Sequence, residues 1–228
     1  MRLPFMPRDG LCRKCGRDAA GLDGEFLCED CRTHKPHFDR AASVFRFTGD
    51  ARELVNAFKF RERLELRDDL VDFLEGLARA HFRVEEIDCV VPVPSTLGHR
   101  ILRGYNQCAE LAKPLAKRLG KPCLNLLKRV GCPKRQGGLG EAERRENVID
   151  TFKCRPEIKR IILAKKGTRH SCRVKEKSES TILLVDDIMT TGSTLSESAK
   201  TLKEAGVDRV WTIALARSIK TALSVLTD

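Results

Sequence analysis

The sequence is poor in aromatic side chains and has no long apolar run. One Trp, one Tyr and ten Phe in 228 residues leave few flat surfaces on which nucleic-acid bases could stack. No segment approaches the roughly 18 consecutive apolar residues that a membrane helix requires. The opening stretch MRLPFMPRDG lacks the apolar core of a signal peptide, so a cytoplasmic protein without membrane insertion is expected. No G-x-x-x-x-G-K-[ST] loop occurs, which excludes a Walker A site. No internal repeat is evident. Acidic residues are the minority charge, 32 Asp and Glu against 43 Lys and Arg, for a net charge of +11. That balance favours anionic partners without choosing between phosphate metabolites and nucleic acid.

The chain is 41% hydrophobic, enough for one substantial core and a small accessory unit. Ten cysteines without a secretory signal argue against a disulfide framework, because the cytosol keeps thiols reduced. Cys12, Cys15, Cys28 and Cys31 form C-x2-C-x12-C-x2-C. Two such pairs can place four thiolates around one tetrahedral ion and leave no open position for water, which describes a structural site. Zinc is the expected metal, with a [4Fe-4S] cluster as the rival. The intervening GRDAAGLDGEFL is too polar to fold alone, so metal binding would drive its folding. His34 and His37 are expected on the surface. The other six cysteines show no pairing, and a second metal site from Cys154, His170 and Cys172 lacks a C-x2-C anchor.

Beyond residue 38, apolar periodicity alternates between strand and helix. AASVFRF reads as a strand, Gly49-Asp50 as a turn, and ARELVNAFKF and LRDDLVDFLEGLARAHF as amphipathic helices. IDCVVPVP fits a buried strand that enters an irregular loop. Residues 95–120 read as largely helical, with a kink or split expected at Pro114. LNLLKRV and VIDTFKC suit strands on either side of a long polar loop at about 130–147. Residues 153–180 carry ten Lys or Arg and three Asp or Glu and read as a basic, solvated insertion. Strand TILLV, a turn, helix STLSESAKTLKEAG, strand RVWTIALA and a terminal helical pattern complete an α/β chain with a mostly parallel sheet.

TILLVDDIMTTGSTL, residues 181–195, concentrates the chemistry. Ligands of parallel α/β sheets bind outside the carboxyl ends of the strands, where Asp186 and Asp187 are expected. Two carboxylates there can take the vicinal hydroxyls of a sugar, directly or through a metal. Thr190, Thr191, Gly192, Ser193 and Thr194 follow as a hydroxyl-rich turn opening a helix, a cradle for phosphate. Separately, DD is often only a turn and TGST only a helix cap. Their contiguity after a buried strand favours one ligand carrying a phosphate beside a diol, a ribose 5-phosphate.

This stretch resembles the signature of the type I phosphoribosyltransferases. In order, the cysteine quartet, FKF, VPVPSTLGHRILRGYNQ, RQGGLGEAERRENV and ILLVDDIMTTGST resemble the ComF/GntX-like competence-associated family. The resemblance implies the type I phosphoribosyltransferase fold, with a zinc knuckle over residues 1–38 and a phosphoribosyltransferase-like domain over 39–228. It further implies phosphoribosyl pyrophosphate (PRPP) as ligand with Mg2+, transfer to an unidentified acceptor and release of pyrophosphate. Asp186 and Asp187 would then hold the ribose hydroxyls and Thr190 to Thr194 the 5-phosphate. Pro94 and Ser95 would open the pyrophosphate loop, with Arg100 and Arg103 near its charge. Arg135, Gln136, Arg144 and Asn147 would lie on a flexible hood. The family's link to competence implies an alternative, a non-catalytic or PRPP-regulated protein that handles single-stranded DNA during uptake.

Overall fold

The computed structural model describes residues 2–18, 26–60, 63–95, 104–130, 150–159, 162 and 179–218. The expected hood residues Arg135, Gln136, Arg144 and Asn147, together with Arg100, Arg103, His170, Cys172 and the terminal helical pattern, lie outside them.

Four strands form a fully parallel sheet in the order β1-β6-β5-β2: β1 (Arg40–Arg46), β2 (Cys89–Pro92), β5 (Thr181–Met189) and β6 (Arg209–Arg217). The central strands β5 and β6 are buried almost throughout, and their apolar runs Ile182–Val185 and Ile213–Ala216 suit strands covered on both faces. Their alternation divides the core. Leu183, Val185, Ile213 and Leu215 face one layer, and Ile182, Leu184, Val210 and Ala214 the other. The first layer is α2 (Gly49–Phe60), α3 (Arg67–His81) and most of α4 (Gln107–Arg118), which contribute Phe58, Leu74 and Leu111. The second is α5 (Ser193–Glu204), the cysteine segment with α1 (Glu29–His34), and an antiparallel pair of β3 (Leu127–Arg129) and β4 (Phe152–Cys154). Truncating one of these buried Leu or Ile side chains to Ala costs about 2–5 kcal/mol.

Three local expectations change. Gly49, at φ 48, begins α2 itself. Helix α4 starts at Gln107, capped by Asn106, and runs unbroken through Pro114. Pro114 lies on the half-exposed flank, opposite the face where Leu111, Ala112, Leu115 and Ala116 are buried, so the Glu110 carbonyl it leaves unpaired is near solvent. The basic stretch is built into the fold at both ends: Lys153 and Cys154 belong to β4, and Ile158 and Ser180 are buried.

Candidate functional site

Strand β2 ends at Pro92, opposite Val185, whereas β6 stays paired with β5 through Met189. The two carboxylates therefore lie within β5 on its β6 side and, among the described residues, beyond the last pairing on its β2 side. Backbone groups past the end of a ladder need other donors and acceptors. Here the N–H of Asp187 donates to Asp186 Oδ1 at 2.9 Å; on the β6 side, the Ile188 N–H donates to Asp187 Oδ1 at 2.7 Å.

Successive side chains of a strand point to opposite faces, and the partners of the two acids follow that rule. Cys108 of α4 donates its thiol to Asp186 Oδ1 at 3.3 Å. Lys59 of α2 places Nζ 2.8 Å from Asp187 Oδ2. Both carboxylates are buried. Burial, reinforced by the neighbouring charge of Asp187, pushes the Asp186 carboxyl up to about 7. Burial also raises the Cys108 thiol well above its ordinary range, with Asp186 adding to it, so Cys108 stays a neutral donor. Burial alone would lower the Lys59 ammonium, but the ion pair with Asp187 outweighs it and holds that group charged. In the sequence Cys108 is one of six cysteines without a pair, and nothing there gives Lys59 a role. Neither lies near the acids in the chain, and only the FKF and RGYNQ segments drew notice to their surroundings.

The turn after β5 is compact and rich in hydroxyls. Gly192 adopts φ 82, and a Cβ there would meet Met189 Cε at 2.7 Å. The methionine end can shift, but the left-handed backbone would still strain any other residue by about 1–2 kcal/mol. As N-cap of α5, Gly192 brings no side chain to its first-turn amides, and that turn holds no acidic residue. Thr191 Oγ1 and Ser193 Oγ lie 2.6 Å apart, and the Ser193 amide donates to Thr191 Oγ1 at 3.3 Å. Thr190 is exposed and Thr194 half-buried. Hydroxyls and a helix N-terminus thus share one face.

Three consecutive residues assemble the far wall. Tyr105 donates to the Phe58 carbonyl at 3.5 Å and Gln107 Nε2 to the Lys59 carbonyl at 3.0 Å, serving carbonyls that the end of α2 leaves unpaired. Between them, Asn106 Nδ2 donates to the Val93 carbonyl at 3.2 Å, just before Pro94 and Ser95. Ser95 Oγ is shielded from solvent and has no hydrogen-bond partner among the described residues, which suits a donor awaiting a ligand.

The four cysteines converge as their spacing implies. All are buried, their sulfurs lie within 4.8 Å of one another, and Cys15 Sγ and Cys28 Sγ are 3.6 Å apart. A tetrahedral site with metal–sulfur bonds of about 2.3 Å has edges of about 3.8 Å, so the set fits one ion. Hydrogen bonding to Cys12 pushes the Cys15 thiol up to about 11 and Cys31 higher still. The cluster cannot ionise fully without a cation. His34 and His37 are exposed and outside this set. Cys154 donates to the Thr201 carbonyl instead.

The cluster is also tied to the turn after β5. Arg217, at the end of β6 and 1% exposed, donates to the Cys15 carbonyl at 2.7 Å, Cys15 Sγ at 3.4 Å and Met189 Sδ at 2.8 Å. Gly16, at φ +64, has no room for a Cβ, which would lie 2.8 Å from the Ala41 carbonyl oxygen of β1. The His37 amide donates to Ser196 Oγ in α5. A cavity of about 260 Å3 separates Thr191, Gly192 and Ser193 from Cys15, Arg17 and Arg217.

A family model described as "Phosphoribosyl transferase domain" matches residues 106–226. Over 226 residues the chain is 28% identical to Competence protein F of Haemophilus influenzae, covering 92% of each. It is 29% identical over 218 residues to the DNA utilization protein YhgH of Salmonella typhimurium, covering 93% of this chain and 86% of that one. A solved glutamine PRPP amidotransferase from B. subtilis, complexed with ADP and GMP, superposes with a TM-score of 0.38 at 18% identity. That likeness covers 66% of this chain, which spans about a quarter (26%) of the solved one. The family match begins at Asn106, after the cysteine quartet, Lys59 and Ser95, whereas the relatives match over nearly the whole length.

Proposed function

This chain belongs to the phosphoribosyl transferase domain family, and on that premise we propose that it binds PRPP with Mg2+ and transfers the phosphoribosyl group to an acceptor. The observation that carries the proposal is the run from Asp186 to Thr194: two buried carboxylates beyond the end of β2, followed by a left-handed glycine that brings no side-chain cap to the helix start. Ribose hydroxyls would be held by Asp186 and Asp187, and the 5-phosphate by Thr190, Thr191, Gly192, Ser193 and Thr194. Pro94 and Ser95 would open the pyrophosphate site. Arg100 and Arg103 are assigned there, and Arg135 to the hood, by family resemblance alone.

In the transfer, the bond from C1 to pyrophosphate breaks with its electron pair leaving on pyrophosphate. A nitrogen of the acceptor bonds to C1 and releases its proton. Mg2+, when bound, supplies charge neutralisation to the departing pyrophosphate. The carboxylates orient the ribose and favour the positive charge that develops at C1. The cysteine quartet would hold zinc as a structural ion, since four thiolates close its coordination sphere.

Calorimetric titration of PRPP with Mg2+ tests the site. Saturable binding to the wild type should weaken by at least about 100-fold in Asp186→Asn plus Asp187→Asn, because charged hydrogen-bond acceptors are lost. No binding to folded wild type would remove the proposal.

A second reading has its own support, the net charge of +11 and relatives called DNA utilization and competence proteins. In it the chain binds single-stranded DNA through phosphate contacts, with PRPP as a regulator. Residues 163–178 carry six Lys or Arg and one Glu. Their deletion should weaken binding and flatten its salt dependence; an unchanged salt slope in a filter-binding titration would refute that role.

A further inference from the structure

Two adjacent carboxylates are a poor place to bring a pyrophosphate. The like charges repel, and the low dielectric of a buried site strengthens the repulsion. Some cation must lie between them, and among the described residues the chain supplies Lys59. Its Nζ is 2.8 Å from Asp187 Oδ2, and its side chain keeps 21% exposure.

Both oxygens of Asp187 are engaged in this state, Oδ1 by the Ile188 amide and Oδ2 by Lys59. A sugar hydroxyl that donates to Oδ2 competes with the ammonium for it. The lysine backbone, by contrast, is fixed. Gln107 holds the Lys59 carbonyl while Asn106, one residue earlier, holds the Val93 carbonyl before Pro94 and Ser95. This clamp ties the end of α2 to the start of the expected pyrophosphate turn, so a change of rotamer can relocate Nζ while both walls stay in place.

We propose that Lys59 is a partner-exchanging PRPP-binding residue: its ammonium neutralises Asp187 in the empty site and moves to a pyrophosphate oxygen when ribose hydroxyls take the carboxylate. This rests on the PRPP reading above and adds how the empty site is held and what its charge does on loading. It also gives the YNQ triplet a purpose, the registration of a cation against a loop.

The test is calorimetry with Mg2+ and three separate probes, PRPP, inorganic pyrophosphate and ribose 5-phosphate, on wild type and Lys59→Met. Affinity for PRPP and pyrophosphate should fall at least about tenfold, while ribose 5-phosphate binds as well or better because Asp187 is released. Equal loss for PRPP and ribose 5-phosphate, or no loss for either, overturns the exchange. Should Lys59→Met not fold, Asp187→Asn serves as the reciprocal variant. It should lose ribose 5-phosphate affinity and retain or gain pyrophosphate affinity, and parallel loss of both again overturns the exchange. A wild type that binds neither PRPP nor ribose 5-phosphate sinks the PRPP reading and this inference with it. A binding wild type matched by Lys59→Met sinks the inference alone.

Discussion

The cysteine cluster and the carboxylate pair each bury several ionisable groups, but they balance charge by different means. Asp187 already has a cation from its own chain in Lys59, and Asp186 has a neutral donor in Cys108. Such partners can be exchanged for a ligand. Among the described residues, the four sulfurs packed within 4.8 Å have beside them the Arg217 guanidinium, which touches Cys15, and Arg17, itself paired with Asp30, within electrostatic reach of Cys15 and Cys28; these two charges cannot offset four thiolates. One region is therefore built to open to a ligand and the other to close on an ion.

Breaking the closed region should have the largest effect. A structural zinc contributes an apparent 10–16 kcal/mol in small domains at neutral pH, comparable to the whole stability of a folded domain. Cys12→Ser plus Cys15→Ser should take zinc from one per chain to none by metal emission spectroscopy. The damage should also spread, because Cys12, Cys15, Cys28 and Cys31 share a core cluster with Phe38, Met189 and Leu195 beside the turn after β5. PRPP affinity is expected to fall with the metal. Full zinc in this variant would refute the metal assignment; unchanged PRPP affinity in a zinc-free variant would show the two regions to be independent.

Arg217 sharpens the same comparison. A buried guanidinium is costly unless its charge is met, and its partners are Cys15 and Met189, one from each region. Arg217→Met preserves much of the volume and removes the charge. Partners of metal ligands typically account for about 10–100-fold in metal affinity, so zinc release to a chelator should accelerate by that order. Weaker PRPP binding should accompany it through the displaced Met189. Unaltered zinc release would confine Arg217 to packing.

Legibility in the sequence followed distance along the chain. The quartet spans Cys12 to Cys31, and the acids and the hydroxyl-rich turn lie within one strand–turn–helix unit, so spacing rules reached their grouping. The parallel sheet was legible because β5 and β6 contain continuous apolar runs. Lys59, Cys108 and Arg217 were not, since each acts on a partner at least 28 residues away. Nothing local marks the face to which a lysine or a cysteine turns. The extent of β5 was misread for a related reason: Asp186 and Asp187 look like a strand end, but pairing with β6 carries the strand on to Met189.

The smallest expected effect concerns the open region without its ligand. Burial, then the charge of Asp187, raises the Asp186 carboxyl to about 7, against about 3.9 in an unfolded chain. Between those values the folded protein holds a proton that the unfolded chain has lost, so stability falls as pH rises through this window. The contribution is complete below about pH 4 and gone above about pH 7. From pH 5.5 to 7.5 the loss is about 2 kcal/mol, or a few degrees in melting temperature for a chain of this size. Asp186→Asn cannot titrate there, so the gap between its melting temperature and that of the wild type should shift in its favour as pH rises. Parallel curves would mean that Asp186 is already ionised at pH 5.5, its charge compensated by Lys59 together with the neighbouring donors, and the two acids would then enter binding with both charges in place.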